Sequence, residues 1–94
     1  MIYLDHHAAA PTPEAVRRAM ESAASVAWAN PSSTHAAGRA SRELLEAARD
    51  QVAAAIGASA AEVVFTGGGT EACNLGIRGL AEGRKRVVTS AVEH

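Results

Sequence analysis

The stretch Val63-Val64-Phe65-Thr66-Gly67-Gly68-Gly69-Thr70-Glu71-Ala72-Cys73-Asn74-Leu75 joins a β-branched and aromatic run to three glycines and then to a helix-like pattern. It reads as a strand over residues 63–66, a tight turn, and a helix beginning near Thr70. Such a junction attracts anions. The first N–H groups of a helix have no partner within it, and the positive end of the helix dipole points the same way. Glycine lets backbone come close to a ligand, and Thr70 adds a hydroxyl. The anion that suits the turn is the phosphate of a nucleotide or cofactor. A Walker A loop is excluded, because it ends in Gly-Lys-Ser/Thr and here Gly69 is followed by Thr70-Glu71. The G-x-G-x-x-G pattern is excluded too, because Gly67-Gly68-Gly69 is followed by Thr70-Glu71-Ala72. Without a ligand, the same residues make a plain strand–helix turn with Thr70 as cap.

Downstream, the helix is expected to run to Glu82 and stop at Gly83, with a second strand over residues 86–90. Strand, helix and strand make a βαβ-type unit. If its strands are parallel, the glycine turn sits at a strand C-terminal end, where open α/β sheets bind ligands. Upstream, Ser59-Ala60-Ala61-Glu62 has the spacing of a capping box, so one helical turn is expected before the first strand. A long helix covers at least Ala40 to Ile56. Leu45, Ala48, Val52 and Ala55/Ile56 form its apolar stripe, and Gly57 ends it. Residues 28–33, with Asn30-Pro31, read as loop. Before them Thr12-Pro13-Glu14 starts a helix, with Thr12 as N-cap and Val16, Ala19, Met20 and Ala23 on one face. Ile2-Tyr3-Leu4 is a short extended segment, and Ala8-Ala9-Ala10-Pro11 an extended linker.

The bulk composition limits what 94 residues can do. Apolar residues make up 48% of the chain, but about half of them are alanine, which buries little area. A chain of this kind is expected to pack against more protein. The net charge of −1 points away from nucleic acid and from anionic membrane surfaces. Arg84-Lys85-Arg86 is the only basic run and reads as a solvated turn. One cysteine cannot form an internal disulfide, and no run of transmembrane length or signal peptide is seen, so a cytoplasmic location is the expectation.

Other candidate groups are fewer. His94 follows the second predicted strand, on the edge that carries the glycine turn. An imidazole there can stack on a planar ligand or move a proton near neutral pH; it is equally readable as an exposed terminal residue. Asp5-His6-His7 invites a metal reading, but neighbouring side chains of an extended segment point to opposite sides, so no metal site is expected. Asn30-Pro31-Ser32-Ser33-Thr34-His35-Ala36-Ala37-Gly38 is a polar loop running into a helix, with Ser32 or Ser33 as the expected cap. Asn30 and His35 can also face a site. Cys73 has no adjacent base and reads as a buried small apolar residue.

Taken together these stretches resemble the cysteine desulfurase family, within the fold type I enzymes that use pyridoxal 5'-phosphate (PLP). The matching segments run in order along the chain. They are Tyr3-Leu4-Asp5, Asn30-Pro31-Ser32-Ser33 with His35 and Gly38, Phe65-Thr66-Gly67-Gly68-Gly69-Thr70-Glu71 with Asn74, and Glu93-His94. The resemblance covers essentially all 94 residues but only the first quarter or so of such an enzyme. It implies an α/β fold: the N-terminal part of the large domain, helices plus the first βαβ unit of a mixed, mostly parallel sheet. It divides the chain into an extended segment (1–12), a helical region (13–57) and the start of the PLP-binding domain (58–94).

By the same resemblance Gly69 and Thr70 bind the cofactor phosphate, and His94 stacks on the pyridine ring and serves catalysis as a proton carrier. Asn30 and His35 lie near the mouth of the site. The implied chemistry takes sulfur from L-cysteine as an enzyme persulfide, releases L-alanine, and passes the sulfur to an acceptor protein, as in iron–sulfur cluster assembly; the implied assembly is a homodimer. The chain departs from the family pattern at Ala8-Ala9-Ala10, at His6, at Gly69, where alanine is common, and at Ala72-Cys73. Its single lysine, Lys85, lies between two arginines, a poor place for a Schiff-base amine. The family's Schiff-base lysine and persulfide cysteine are expected beyond residue 94, so the 94 residues are expected to be inactive alone. Two further readings stay open: another fold type I PLP lyase or aminotransferase, and a non-catalytic phosphate-binding domain.

Overall fold

The computed structural model describes residues 1–93, which hold three α-helices and one 3-10 turn. They are α1 (Glu14–Val26), α2 (Ala36–Ile56), the 3-10 turn Ala60–Glu62, and α3 (Gly69–Ala81). The chain divides into two compact units, Met1–Val63 and the residues from Val64 onward.

In the first unit α1 begins one residue later than the sequence reading places it. Pro13 is the N-cap, with φ −58° and ψ 147°, and no side chain caps the helix, so Thr12 does not serve. Proline suits this place because it has no N–H to leave unpaired. An acid in the first turn suits the helix dipole and pairs with the next turn. Glu14 binds Arg17 at 2.6 Å and Arg18 at 2.8 Å, and Arg17 also reaches Glu21 at 2.9 Å. Arg17 first, then Arg18, holds the Glu14 carboxyl below its ordinary pKa.

Helix α2 starts at Ala36 and ends where predicted, at Gly57 in the left-handed region with φ 70°. The expected stripe holds along its first half, where Leu45 and Ala48 are half-buried. Farther along, Val52 and Ile56 are exposed, and the buried residue is Ala53, outside the predicted stripe. The reason is local. The chain turns back after Gly57, Ala58 N–H donates to Ala53 O at 2.9 Å, and the 3-10 turn packs on this end of α2. Arg49 strengthens the same packing by donating from its guanidinium to Val63 O.

The 3-10 turn forms at the predicted capping box. Ser59 N–H donates to Glu62 Oε2 at 2.8 Å, and Glu62 N–H to Ser59 O at 3.0 Å. At the N-terminus Ile2 and Leu4 are exposed. Asp5–Ala8 closes as a turn rather than continuing extended: Ala8 N–H donates to Asp5 O at 3.1 Å, and the Tyr3 hydroxyl spans it to Asp5 O and Ala9 O.

The second unit differs most from expectation. No strand forms among its described residues, so neither 63–66 nor 86–90 is a strand here, and no βαβ sheet is present. A strand exists only as half of a pair, because its N–H and C=O groups alternate outward and need a ladder partner. Val64, Phe65, Val87 and Val88 have the β-branched and aromatic character of strand residues, but that preference takes effect through packing on neighbours. All four side chains are exposed. Helix α3, whose pattern is local, forms nearly as read, one residue early at each end, and Gly83 follows it with φ 71°.

The capping box has a titration signature. The Ser59 backbone N–H, then its hydroxyl, holds the Glu62 carboxyl below its ordinary pKa. A lowered folded pKa contributes stability above the unfolded value, lost as the pH falls through the folded one. An NMR titration of the Glu62 carboxyl is expected to give a midpoint below that of an unstructured glutamate. A midpoint at the ordinary value would show that the box does not form.

Candidate functional site

The glycine turn is organised by short hydrogen bonds. Gly67 N–H donates to Glu71 Oε2 at 2.7 Å, folding the turn back on the helix that follows. The Thr66 hydroxyl donates to Gly68 O at 3.1 Å. Gly68 O also accepts from Ala72 N–H at 3.0 Å, which starts the α3 ladder. Gly68 is the N-cap residue, and no side chain caps the helix among the described residues. The sequence reading placed Thr70 as the cap; the structure puts it inside the first turn. Its hydroxyl has no partner among the described residues. Its carbonyl is taken by Asn74 Nδ2 at 2.8 Å.

Gly69 and Thr70 open on a groove of roughly 870 Å³, lined along α3 by Cys73, Asn74 and Ile77 and on the other side by Thr89 and Glu93. That volume admits a cofactor-sized ligand. Cys73 is exposed on this groove, not buried as its residue type suggests. Burial preference describes a helix face that something covers, and every described residue of α3 before Ala81 is exposed. His94 lies outside the described residues.

Asn30 and His35 belong to the first unit, and both are engaged in shaping their own loop. Asn30 Oδ1 accepts from Ser32 N–H at 2.8 Å, and Asn30 O accepts from Ser33 N–H at 3.0 Å. His35 is the N-cap of α2: its Nδ1 accepts from Gly38 N–H at 3.2 Å. This corrects the expectation of a Ser32 or Ser33 cap. An imidazole nitrogen three residues ahead of an unpaired N–H does what a serine hydroxyl does. Arg42 Nε donates to Pro31 O at 2.7 Å, and Arg39 reaches Thr34 O. Gly38 is buried where loop and helix meet. A Cβ there would stand 2.5 Å from Ser33 O and 2.9 Å from Asn30 O. The sequence reading missed Arg42 and Glu71 as organising residues. An acid in the first turn of a helix, four residues after a glycine, was the available signal for Glu71.

A family model described as aminotransferase class-V matches residues 2–94. The chain belongs to the aminotransferase class-V family. This family has the PLP-dependent fold type I, and the similarity to cysteine desulfurases read from the motifs is borne out among its members. The putative cysteine desulfurase IscS 1 of Bacillus subtilis (strain 168) is 47% identical, over 99% of this chain and 26% of the relative. Cysteine desulfurase IscS of Dictyoglomus turgidum is 42% identical, over 99% of this chain and 25% of the relative. A selenocysteine lyase of Bos taurus is 41% identical, over 86% of this chain and 18% of the relative. The chain therefore spans about a quarter of the length of the cysteine desulfurases it matches. No solved structure matches it. No helix among the described residues is long and apolar enough to cross a membrane.

The residues of the turn fit the phosphate of the cofactor that class-V enzymes use. Among the described residues no side chain caps the N–H groups at the head of α3 and none bonds the Thr70 hydroxyl beside them, and Gly69 and Thr70 line the groove. The loop of the first unit carries its own test. Gly38→Ala is expected to lower stability by about 1–3 kcal/mol, read from the urea midpoint, because its Cβ meets backbone that cannot rotate away. An unchanged midpoint would show that the close approach is not required.

Proposed function

We propose that this chain forms the phosphate-binding part of a PLP-dependent cysteine desulfurase. The complete enzyme would take sulfur from L-cysteine as an enzyme persulfide and release L-alanine. One observation carries the reading: in a chain of the class-V family, an uncapped helix N-terminus presents Gly69 and Thr70 to an open groove.

The Gly69 N–H and the Thr70 hydroxyl hold the phosphate, and the α3 dipole favours its negative charge. When bound, PLP supplies an electron sink for the carbon chemistry. Anchoring a phosphate fixes the rest of a planar ligand in one place, and orientation of this kind is what raises rate. By resemblance, His94 stacks on the ring and carries protons, and Asn30 and His35 stand at the mouth of the site. The hydrogen bonds that hold Asn30 and His35 in their loop support a rigid role for them. In the complete domain, residues 63–66 and 86–90 become strands, each against a neighbour supplied by the rest of the sheet, and the exposed Val64, Phe65, Val87 and Val88 become buried. The remainder of the enzyme, a second copy in a homodimer and a sulfur-acceptor protein are the proposed partners. The bovine relative is named a selenocysteine lyase, which makes selenocysteine a second substrate to test.

Two measurements check the reading. In the complete enzyme freed of cofactor, Thr70→Ala is expected to weaken PLP binding about tenfold, the worth of a hydrogen bond to a charged group, and to leave pyridoxal binding unchanged. Equal loss for both ligands would place Thr70 away from the phosphate. Lys85, between Arg84 and Arg86, is exposed. No lysine lines the groove, so the 94-residue chain mixed with an equal amount of PLP is expected to develop no saturable long-wavelength absorbance; a stoichiometric borohydride-trapped adduct on Lys85 would overturn this.

A further inference from the structure

We propose that Glu71 is a positioning residue for the phosphate turn, an inference that rests on the reading of Gly69 and Thr70 as phosphate ligands. Glu71 Oε2 accepts the Gly67 N–H at 2.7 Å. The same oxygen lies 3.1 Å from where a Cβ on Gly67 would stand, so the turn is closed tightly against it.

A carboxylate at the head of a helix has two opposed effects on an anionic ligand. Its charge repels the anion. Its hydrogen bond fixes the backbone that binds the anion. Three consecutive glycines make the second effect large, because glycine loses more freedom on ordering than any other residue. The first effect is small, because Glu71 is exposed and its charge is screened. The bond is also placed to avoid competition. It takes the Gly67 donor and leaves the groups at Gly69 and Thr70 for the ligand, while the Thr66 hydroxyl secures Gly68 O from the other side. Positioning therefore outweighs repulsion, and Glu71 raises phosphate affinity although it carries the same charge.

The test compares Glu71→Ala with Glu71→Gln in the complete enzyme freed of cofactor, titrated with PLP and with pyridoxal. Glutamine keeps an oxygen acceptor for Gly67 and removes the charge. The expected result is about a tenfold loss of PLP affinity in Glu71→Ala, with Glu71→Gln near wild type and pyridoxal binding unmoved in both. Amide exchange at Gly67 in the cofactor-free protein is expected to quicken in Glu71→Ala and stay slow in Glu71→Gln. Repulsion alone predicts the reverse, tighter PLP binding in both variants. Equal or tighter binding by Glu71→Ala overturns the inference, as does a Glu71→Gln that binds as weakly as Glu71→Ala. If wild-type protein binds pyridoxal as tightly as PLP, the phosphate reading itself fails, and the Glu71 inference falls with it whatever the exchange rates show.

Discussion

The bond from Gly67 N–H to Glu71 Oε2 joins the glycine turn to the helix that it opens. None of the described residues from Val64 onward is buried, so this unit does not draw its form from a core. It draws it from short-range hydrogen bonds. Glu71 accepts the Gly67 N–H, the Thr66 hydroxyl holds Gly68 O, and Gly68 O starts the α3 ladder. Removing the Glu71 contact frees the Gly67 N–H and leaves the glycines held through Gly68 O. The chemical offer of the unit, helix-head N–H groups and a hydroxyl that no described side chain occupies, exists only while the turn keeps its shape.

The first unit solves a similar problem by a different route. The loop at residues 30–35 is held by donors from α2: Arg39 and Arg42 reach its carbonyls, and Gly38 N–H meets His35. Gly38 makes this possible, because any side chain there would strike the backbone of Ser33 and Asn30. In both units a loop bearing polar residues is fastened to the first turn of a helix. A helix head offers unpaired donors and a fixed direction, which makes it an economical anchor for a short loop.

What could be read from residue order follows from the range of each interaction. The 3-10 turn Ala60–Glu62 capped by Ser59, the stop at Gly57 and the existence of all three helices rest on contacts within four residues, and each appears near its predicted place. The His35 cap was missed because serine and threonine dominate expectation at such positions, although an imidazole nitrogen accepts a hydrogen bond equally well. Ala53 was missed as a buried residue because its cover comes from the chain turning back, not from the helix's own period. The glycine turn was legible as an anion site from its composition. Its internal fastening to Glu71 needed coordinates.

The strands mark the boundary most clearly. Residue order determined where the chain is helical, where it turns, and the ordered motifs that place it in the aminotransferase class-V family. These features depend on local hydrogen bonding and on side-chain identity. Whether residues 63–66 and 86–90 are strands depends on a second backbone to pair with, and among the described residues none is present. Tertiary structure likewise decided that Cys73 is exposed and that Asn30 and His35 are tied into their own loop. Burial and side-chain engagement are set by what comes to lie against a residue in space, and the residue's type does not supply that neighbour.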